Sequence, residues 1–315
     1  MEKLKALLLT EGMHGMISQV EGMAKALNVE YDHKIVRLSF PWNLIPPKFT
    51  PISQIVLKDK IYMTNNEIPD LIISCGRKSV IPSIVLKRKN PKIFTIHIQD
   101  PKVNVRNFDA IVAPEHDDLK GKNIYNSKGA IHYITEIEIS KASQYLADKI
   151  KSEKIVSLIL GGPNKYYHFD NQELIKIFNT IKSNFISYGY KVIVVPSMRT
   201  PKRIIELALK EFVSDSFVVN SVDKQAYLSS LALADFIVLT CDSTSMISEA
   251  ATSGKPIYVA HMRAKRNNYR FKRFFNLFNA MGVTRNLGDK VETWSYKYFN
   301  EAERIAPMIH SKLVN

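Results

Sequence analysis

The sequence predicts an α/β protein made of two Rossmann-like domains whose mostly parallel sheets face a cleft. Apolar segments typical of buried strands alternate with amphipathic segments along the 315 residues, which indicates βαβ units and parallel sheets. The alternation occurs twice, and a chain of this length accommodates two domains of about 150 residues each. Each half opens with an apolar strand that runs into a glycine-containing turn, TEGMHG at 10–15 and LGGPNKYY at 160–167.

The predicted strands fall into two groups along the chain. Each is a short apolar run, as expected of a strand that a parallel sheet buries on both faces. The runs are LKALLLT (4–10), DLIISC (70–75), KIFTIHI (92–98), DAIVA (109–113), VSLILG (156–161), YKVIVVPS (190–197), SFVVN (216–220) and DFIVLT (235–240). The polar segment KASQYLADKIKSEK (141–154) is interpreted as the interdomain connection, which gives domains at 1–145 and 146–315. The last segment, KYFNEAERIAPMIHSKLV, is predicted to be a helix that packs back on the N-terminal domain.

Composition and charge limit the classes of function. No apolar run approaches the roughly 20 residues of a membrane helix, and the first run is interpreted as a strand rather than a signal peptide. Cys75 and Cys241 have no CxxC partner, which indicates reduced thiols and a cytoplasmic location. The net charge of +14 favours phosphates, nucleic acid or anionic lipid as partners. Without zinc spacing, an RNP-type motif or a basic block, sequence-specific nucleic-acid binding is not expected.

The polar sequence CDSTS (241–245) lies between the strand DFIVLT and an alanine-rich helix. Asp242 or Ser243 can cap that helix, whose first N–H groups, at Thr244 and Ser245, then attract a phosphate. Glu249 shares a helix face with Ser245, and its carboxylate can accept hydrogen bonds from ribose hydroxyls. The alternative is that this segment only caps a helix and that Glu249 is a solvated surface charge.

Two further polar loops follow strands of the same half. Gly161 and Gly162 end the strand VSLIL, where backbone N–H groups can approach a diphosphate closely. The side chains predicted to line this opening are Asn164, Lys165, Ser197 and Arg199, with Arg199 as a bidentate phosphate ligand. Three such loops at the strand ends of one domain favour a shared site, although each alone reads as an ordinary βα turn.

In the first half, Glu11 and His14 follow the first strand and Asp100 follows KIFTIHI. Any of these three side chains can serve as a general base, so they are the predicted catalytic residues. The alternative is that they are structural or solvated. The sequence has no GxSxG, HExxH or GxGxxG motif and no DxD pair, so we expect binding without a metal ion or a resident cofactor.

The segment MRAKRNNYRFKRFFNLFNAMG (262–282) carries basic residues and no acid. On a helix, Arg263, Arg266, Arg270 and Arg273 would line one side and the phenylalanines another. This pattern predicts contact between 263–278 and an anionic membrane surface. The alternative is an aromatic stripe that faces the core, with a solvated basic face.

A series of motifs resembles the family named after the plant mitochondrial-fission factor of the elongated-mitochondria type, which has many bacterial members. The motifs, in the family's order, are TEGMHGMISQVEGMAKAL, PDLIISCGRKSVIPSIVLKR, IQDPKVNVRNFDAIVAPEHD, GAIHYIT, LGGPNKYYHF, PSMRTP, DSTSMISEAATSGKP and ETWSY. The resemblance covers nearly the whole chain. At the opening turn the family usually has Asp-Gly-Arg-Pro-Gly, so its arginine has no counterpart in Glu11–Gly15.

The family in turn is similar to GT-B glycosyltransferases, in which the C-terminal domain holds most of the nucleotide sugar. This resemblance implies that Ser243 binds the diphosphate and Glu249 the ribose. One hypothesis is a glycosyltransferase-like protein that uses a nucleotide sugar or another phosphorylated small molecule, acts on a cell-envelope acceptor and lies at the inner membrane face. The alternative is a non-catalytic adaptor that recruits a partner to a membrane surface, as the plant relative is thought to do.

Overall fold

The computed structural model describes residues 3–61, 68–150, 152–213, 216–288 and 290–313. The strands are β1 (Lys5–Thr10), β2 (Glu30–Ile35), β3 (Leu71–Cys75), β4 (Phe94–Ile98), β5 (Ala110–Pro114), β6 (Ile124–Ser127), β7 (Ile155–Leu160), β8 (Lys191–Pro196), β9 (Ser216–Val218), β10 (Phe236–Thr240), β11 (Ile257–Ala260) and β12 (Thr284–Asn286). The α-helices are α1 (His14–Ala26), α2 (Val80–Lys89), α3 (Glu136–Lys141), α4 (Gln144–Ala147), α5 (Asn171–Asn184), α6 (Lys202–Glu211), α7 (Lys224–Leu233), α8 (Thr244–Ala251), α9 (Tyr269–Ala280) and α10 (Glu301–Leu313).

The chain divides into two compact units, each built on its own six-stranded sheet. Unit 1 contains the residues up to Tyr133 and those from Asn300 onward, and unit 2 runs from Ile134 to Phe299. The strand order is β2-β1-β3-β4-β5-β6 in unit 1 and β12-β11-β10-β7-β8-β9 in unit 2. All neighbouring strands run parallel. The predicted α/β class with parallel sheets is confirmed.

Both faces of the unit 1 sheet are covered by apolar side chains. Leu8 and Ile73 point into a cluster shared with α1 and α10, whereas Leu9 and Ile72 point into a second cluster shared with α2 and the segment after β2. Because side chains alternate along a strand, adjacent residues supply the two clusters. This arrangement explains why the central strands are continuously apolar in sequence.

The C-terminal helix α10 belongs to unit 1. Its residues Ala302, Ile305, Ala306 and Ile309 are buried in the same cluster as the inner face of α1. The division of the chain therefore differs from a single cut after residue 145, since the first unit ends at Tyr133 and takes back the last helix.

The segment 141–154, predicted to connect the domains, packs within unit 2, although residue 151 lies outside the described part. Leu146 is buried, and its backbone N–H donates to Ser229 Oγ at 3.0 Å. The Ser229 hydroxyl donates in turn to the Ser143 carbonyl at 3.1 Å. The polar residues that suggested an interdomain connection thus lie on the solvent-exposed face of short helices, and the other face of these helices packs against α7. No helix in the described ranges is long and apolar enough to cross a membrane.

Candidate functional site

Three predicted loops meet at one edge of the unit 2 sheet. They follow β7, β8 and β10, which are neighbours in the order β10-β7-β8. Since the strands are parallel, their carboxyl ends lie at the same edge, the position where open α/β sheets bind ligands. The loops at Gly161, Ser197 and Asp242 are therefore close in space, as the sequence predicted.

The side chain of Asp242 connects these three loops through hydrogen bonds. Its side chain is inaccessible to solvent and accepts three hydrogen bonds, from the Thr240 hydroxyl at 2.7 Å, the Gly162 N–H at 2.9 Å and Arg199 Nη2 at 2.7 Å. A buried carboxylate needs such partners because an unpaired charge in the interior is costly. Asp242 was predicted to be a helix cap or ligand-binding residue, but its oxygens are occupied within the protein and the cap of α8 is Ser243.

The two glycines after β7 allow the Asp242 carboxylate and the Arg199 backbone to approach the chain closely. A Cβ atom on Gly161 would lie 2.1 Å from Asp242 Oδ1, and one on Gly162 would lie 2.2 Å from the Arg199 carbonyl oxygen. The N–H of Gly161 donates to Thr240 Oγ1 at 2.8 Å, and that of Gly162 donates to Asp242. Both N–H groups already have acceptors inside the protein, so a diphosphate would have to displace these bonds to bind where the sequence predicted.

Arg199 and Ser197 are also engaged internally. Arg199 Nη1 donates to the Gly162 carbonyl at 3.1 Å while Nη2 pairs with Asp242. Ser197 Oγ accepts the Arg199 N–H at 3.3 Å and lies 3.2 Å from Thr200 Oγ1. A bidentate phosphate contact by Arg199 would require at least one of these bonds to be exchanged, so its main effect here is to neutralise the buried carboxylate.

The first turn of α8 retains free hydrogen-bond donors. Ser243 Oγ accepts the N–H of Met246 at 3.4 Å, which is the usual cap bond. The N–H groups of Thr244 and Ser245 have no acceptor among the residues that the structure describes. Unpaired N–H groups and the helix dipole make a helix start attractive to an anion. This turn is the open part of the predicted site.

Two cationic side chains lie around Tyr166, on the loop that Asn164 connects to Asp242. Asn164 Nδ2 donates to the Asp242 carbonyl at 3.0 Å, while Asn164 Oδ1 accepts the Tyr166 N–H at 2.8 Å. The Tyr166 ring is approached by Lys165 Nζ at 5.2 Å and by the Arg266 guanidinium at 5.6 Å. The sequence placed Arg266 on a membrane-facing helix. Its position beside Tyr166 depends on a tertiary contact that no local pattern indicates.

Glu249 lies one turn after Ser245 and is half-buried. Burial raises its pKa to about 7, and the Tyr227 hydroxyl, which donates to Glu249 Oε2 at 3.2 Å, opposes the increase only in part. Burial acts in this direction because it penalises the charged form of a carboxyl group. Glu249 is therefore not the ordinary solvated charge of the alternative reading.

His261 is a candidate residue that the sequence reasoning missed. It follows β11 directly, at the same sheet edge, and its Nε2 lies 2.8 Å from Asn286 Oδ1, the last residue of β12. The strand IYVA before it is only four residues long. Recognising that run as a strand is the signal that would have directed attention to His261.

The basic segment 262–282 is organised differently from the prediction. Helix α9 begins at Tyr269, so Arg263 and Arg266 precede it instead of lying on its face. Phe274 and Phe278 are completely buried and stack at 4.2 Å between ring centres. The aromatic stripe thus belongs to the core of unit 2 and is not a membrane-inserting face. Contact between the exposed basic side chains and a membrane stays a prediction.

The predicted catalytic residues lie at the carboxyl edge of the unit 1 sheet, after β1 and β4. Glu11 Oε1 accepts the Lys78 N–H at 3.0 Å, and Oε2 lies 3.4 Å from Lys78 Nζ. Glu11 thus stabilises the turn before α2, which weakens its candidacy as a general base. His14 is the exposed first residue of α1.

The Asp100 carboxylate is bonded to Lys102, two residues later in the chain. Burial opposes its ionisation, but hydrogen bonds from the Lys102 side chain and backbone N–H outweigh burial and lower the pKa of Asp100. A carboxylate with a depressed pKa is a weak proton acceptor near neutral pH. Of the three predicted bases, His14 alone has no such engagement among the described residues. Within the same ranges, no group of three His, Cys, Asp or Glu side chains is arranged to hold a metal ion.

Comparison with protein families gives a match over most of the chain. The family described as "Mitochondrial fission ELM1" matches residues 14–313. A Rickettsia prowazekii (strain Madrid E) relative, "Uncharacterized protein RP120", is 29% identical over 283 residues, covering 76% of this chain and 79% of its own. "Mitochondrial fission protein ELM1" of Arabidopsis thaliana is 25% identical over 276 residues, covering 78% of this chain. The chain spans 64% of that plant protein, which is less than two thirds.

Solved structures share the fold at low identity. UDP-GlcNAc 2-epimerase from Methanocaldococcus jannaschii matches with a TM-score of 0.58 and 16% identity, over 98% of this chain and 100% of that one. MurG from Acinetobacter baumannii matches with a TM-score of 0.52 and 12% identity, over 99% of this chain and 91% of that one. Both likenesses identify the GT-B fold, as predicted.

Proposed function

The chain belongs to the mitochondrial fission ELM1 family, and on that premise we propose that it is a nucleotide-sugar-binding, glycosyltransferase-like protein. The observation that carries the proposal is the start of α8, where the N–H groups of Thr244 and Ser245 have no acceptor in the described part of the chain. They lie at the carboxyl edge of a parallel sheet, beside the Asn164 loop. A diphosphate is the ligand class that such a helix start suits best.

The charges around this helix start support an anionic ligand. Arg199 neutralises the buried Asp242 carboxylate, so that carboxylate does not repel a phosphate. Lys165 and Arg266 form no ion pair with any described residue, and both lie within 5.6 Å of the centre of the Tyr166 ring. We assign to these two cations the neutralisation of the diphosphate, which the sequence had assigned to Arg199.

Glu249 is proposed to bind the ribose. Its carboxylate is half-buried on α8, the helix that Ser243 caps, one turn beyond Ser245. Two ribose hydroxyls can donate to a carboxylate, which has two oxygens and no proton of its own when ionised. The raised pKa of about 7 means that ribose binding and ionisation are coupled, since hydrogen bonds to the charged form favour it.

The proposed reaction is transfer of the sugar to an acceptor, without a metal ion and with the nucleoside diphosphate as the leaving group. The α8 start and the Lys165 and Arg266 cations would stabilise the negative charge that develops on the diphosphate. Of the three general bases that the sequence predicts in unit 1, Glu11 and Asp100 have internal partners, which leaves His14 as the candidate within that unit. The acceptor class proposed from the sequence is a cell-envelope molecule.

A thermal-shift screen tests the binding proposal. The purified protein is screened against UDP, GDP, ADP, CDP and TDP and their common sugar conjugates, beginning with UDP-GlcNAc because the epimerase neighbour bears that ligand in its name. A ligand that binds only the native state raises the melting temperature. The shift should be lost in Glu249→Ala and retained in Glu206→Ala, a matched substitution at an exposed glutamate of α6.

A second variant separates the two cationic side chains from the helix. Lys165→Ala with Arg266→Ala should weaken binding and reduce its salt dependence, because two fewer cations face the diphosphate. Equal stabilisation of wild type and both variants by every ligand would remove the basis for the site.

The second candidate function is a non-catalytic adaptor that recruits a partner to a membrane surface. It is favoured by the name of the Arabidopsis relative and by the exposed basic side chains of Arg263, Lys265 and Arg266. If no nucleotide or nucleotide sugar stabilises the protein, we adopt the adaptor, and pull-down of a partner with wild type and an Arg266→Glu variant becomes the test.

A further inference from the structure

The loop between β2 and β3 presents four large apolar side chains to solvent. Phe40, Leu44, Phe49 and Ile55 are 80%, 69%, 69% and 73% exposed. Single exposed apolar residues are ordinary on protein surfaces. Four of this size within residues 40–55 concentrate exposed apolar surface on one loop, and large exposed apolar surfaces mark interaction sites.

Hydrogen bonds fix the backbone of this loop. The Arg77 guanidinium donates to three consecutive carbonyls, those of Asn43 at 2.6 Å, Leu44 at 3.3 Å and Ile45 at 3.2 Å. The Thr50 hydroxyl donates to the Ile45 carbonyl at 3.5 Å. The outward side chains therefore stand on an ordered backbone, and their exposure is a built feature of the fold.

The two ends of the loop are joined above the core of unit 1. The Ser39 N–H donates to the Val56 carbonyl at 2.9 Å. Phe40 follows the first of these residues and Ile55 precedes the second, so the two exposed side chains leave the core side by side. Leu38 and Val56 are buried beneath them. The ends of the loop are thus held by buried apolar residues, and the exposed apolar residues between them form what is called the tip of the loop.

Basic residues lie within the loop and at its two ends. From residue 36 to residue 61 the sequence has four basic residues and one acid. Arg37, Lys48, Lys58 and Lys60 are exposed, and none forms an ion pair with a described residue. Lys48 Nζ lies 5.7 Å from the Phe49 ring centre, which places a positive charge at the apolar tip itself.

We propose that the loop 39–56 docks the protein on an anionic phospholipid bilayer. The four apolar side chains enter the interfacial region, and the surrounding cations contact the headgroups. Side chains that each protrude with most of their surface free suit a fluid interface, which adapts to them without a preformed complementary shape. A second copy of the chain is a poorer occupant, because each copy carries a net charge of +14 and like charges repel. The docking is independent of the proposed nucleotide site.

Vesicle co-sedimentation of the full chain tests the docking. Vesicles of phosphatidylcholine are compared with vesicles containing roughly one third phosphatidylglycerol, since anionic lipid adds attraction for each nearby cation. The native chain should bind the anionic vesicles at least about tenfold more tightly. Phe40→Ser with Phe49→Ser should lower that affinity by about tenfold or more, because two aromatic side chains are lost from the interface. The matched control is Tyr188→Ser with Val213→Ser, two similarly exposed apolar residues of unit 2.

Trp42 reports on entry of the loop into the bilayer. The chain has two tryptophans, and Trp42 lies in the loop, partly buried against its core. In a Trp294→Phe protein, lipids brominated on their acyl chains should quench the Trp42 fluorescence. Docking through the basic residues of unit 2 would leave that fluorescence unquenched.

Several results would overturn the proposal. These are absence of native binding to anionic vesicles, unchanged binding by the Phe40 and Phe49 variant, and binding that is lost only in Arg266→Glu with Arg270→Glu. Self-association of the native chain that the phenylalanine variant abolishes would assign the patch to a second copy instead.

Discussion

Replacing Glu249 by glutamine removes a carboxyl group whose pKa burial raises from its ordinary 4.5 to about 7. Because the folded protein holds this proton more tightly than the unfolded chain does, native stability should fall as the pH rises from about 4.5 to about 7. The full increase in pKa corresponds to about 3 kcal/mol. The side chain is only half-buried, so solvent screening should reduce this contribution to about 1 to 2 kcal/mol.

Urea unfolding between about pH 5 and pH 8 measures this contribution. The difference in unfolding free energy between wild type and Glu249→Gln cancels the groups that titrate alike in both proteins. Wild type should lose about 1 to 2 kcal/mol relative to the variant between pH 5 and pH 8. Parallel pH curves for the two proteins would show that Glu249 titrates at its ordinary pKa and would refute the burial argument.

Ligand binding gives an independent measurement on the same residue. If ribose hydroxyls bind the ionised Glu249, affinity for a nucleotide sugar should rise from pH 6 to pH 8, by up to about tenfold if the pKa reaches about 7 and by less if solvent screening reduces the shift. A nucleotide sugar is the right probe because its diphosphate is fully ionised throughout this range. Glu249→Gln should bind weakly and without pH dependence. If the wild-type affinity does not change with pH while the stability difference is observed, the raised pKa of Glu249 is supported and its assignment to the ribose is refuted.

The remaining predictions concern packing. Asp242→Ala should lower the free energy of unfolding by about 1 to 3 kcal/mol, because the Gly162 N–H and the Thr240 hydroxyl lose their buried acceptor; a urea midpoint near that of wild type would contradict the structural role. Gly161→Ala should reduce the melting temperature, since its Cβ would lie 2.1 Å from a carboxylate oxygen, and an unshifted melting curve would argue against this close packing. Phe274→Ala should cost about 3 to 5 kcal/mol in unfolding free energy, whereas Lys272→Ala, at an exposed position of α9, should change it by less than about 0.5 kcal/mol; similar values for the two variants would exclude a core role for the aromatic stripe.

The strands that were predicted and those that were missed differ in their position in the sheets. The predicted strands include the central ones of both sheets, where burial on both faces requires a continuous apolar run. The strands β2, β6 and β12 were missed; they lie at sheet edges, where a continuous apolar run is not required, and β2 reads EYDHKI with every residue exposed or partly exposed. The strand β11 is interior, but its four residues give too short an apolar run to separate from a helix end.

The site could be predicted to the level of its loops. The sequence identified the segments that follow β7, β8 and β10, because a parallel strand ends where its apolar run gives way to polar residues. It also identified Ser243 as one of two cap candidates and Glu249 as a residue of the same helix, since both inferences use spacing within a single element.

By itself, then, the sequence determined the α/β class, the parallel sheets and the loops at their carboxyl ends, because burial and helix capping are imposed locally along the chain. Only the tertiary structure decided which groups in those loops remain open to a ligand. The bond from Gly162 to Asp242 spans 80 positions and that from Arg199 to Asp242 spans 43, and both depend on β7 lying between β8 and β10. Strand order is set by the packing of the whole sheet. The same order that joins these loops also gives the N–H groups of Gly161 and Gly162 internal acceptors, while those of Thr244 and Ser245 have none in the described ranges.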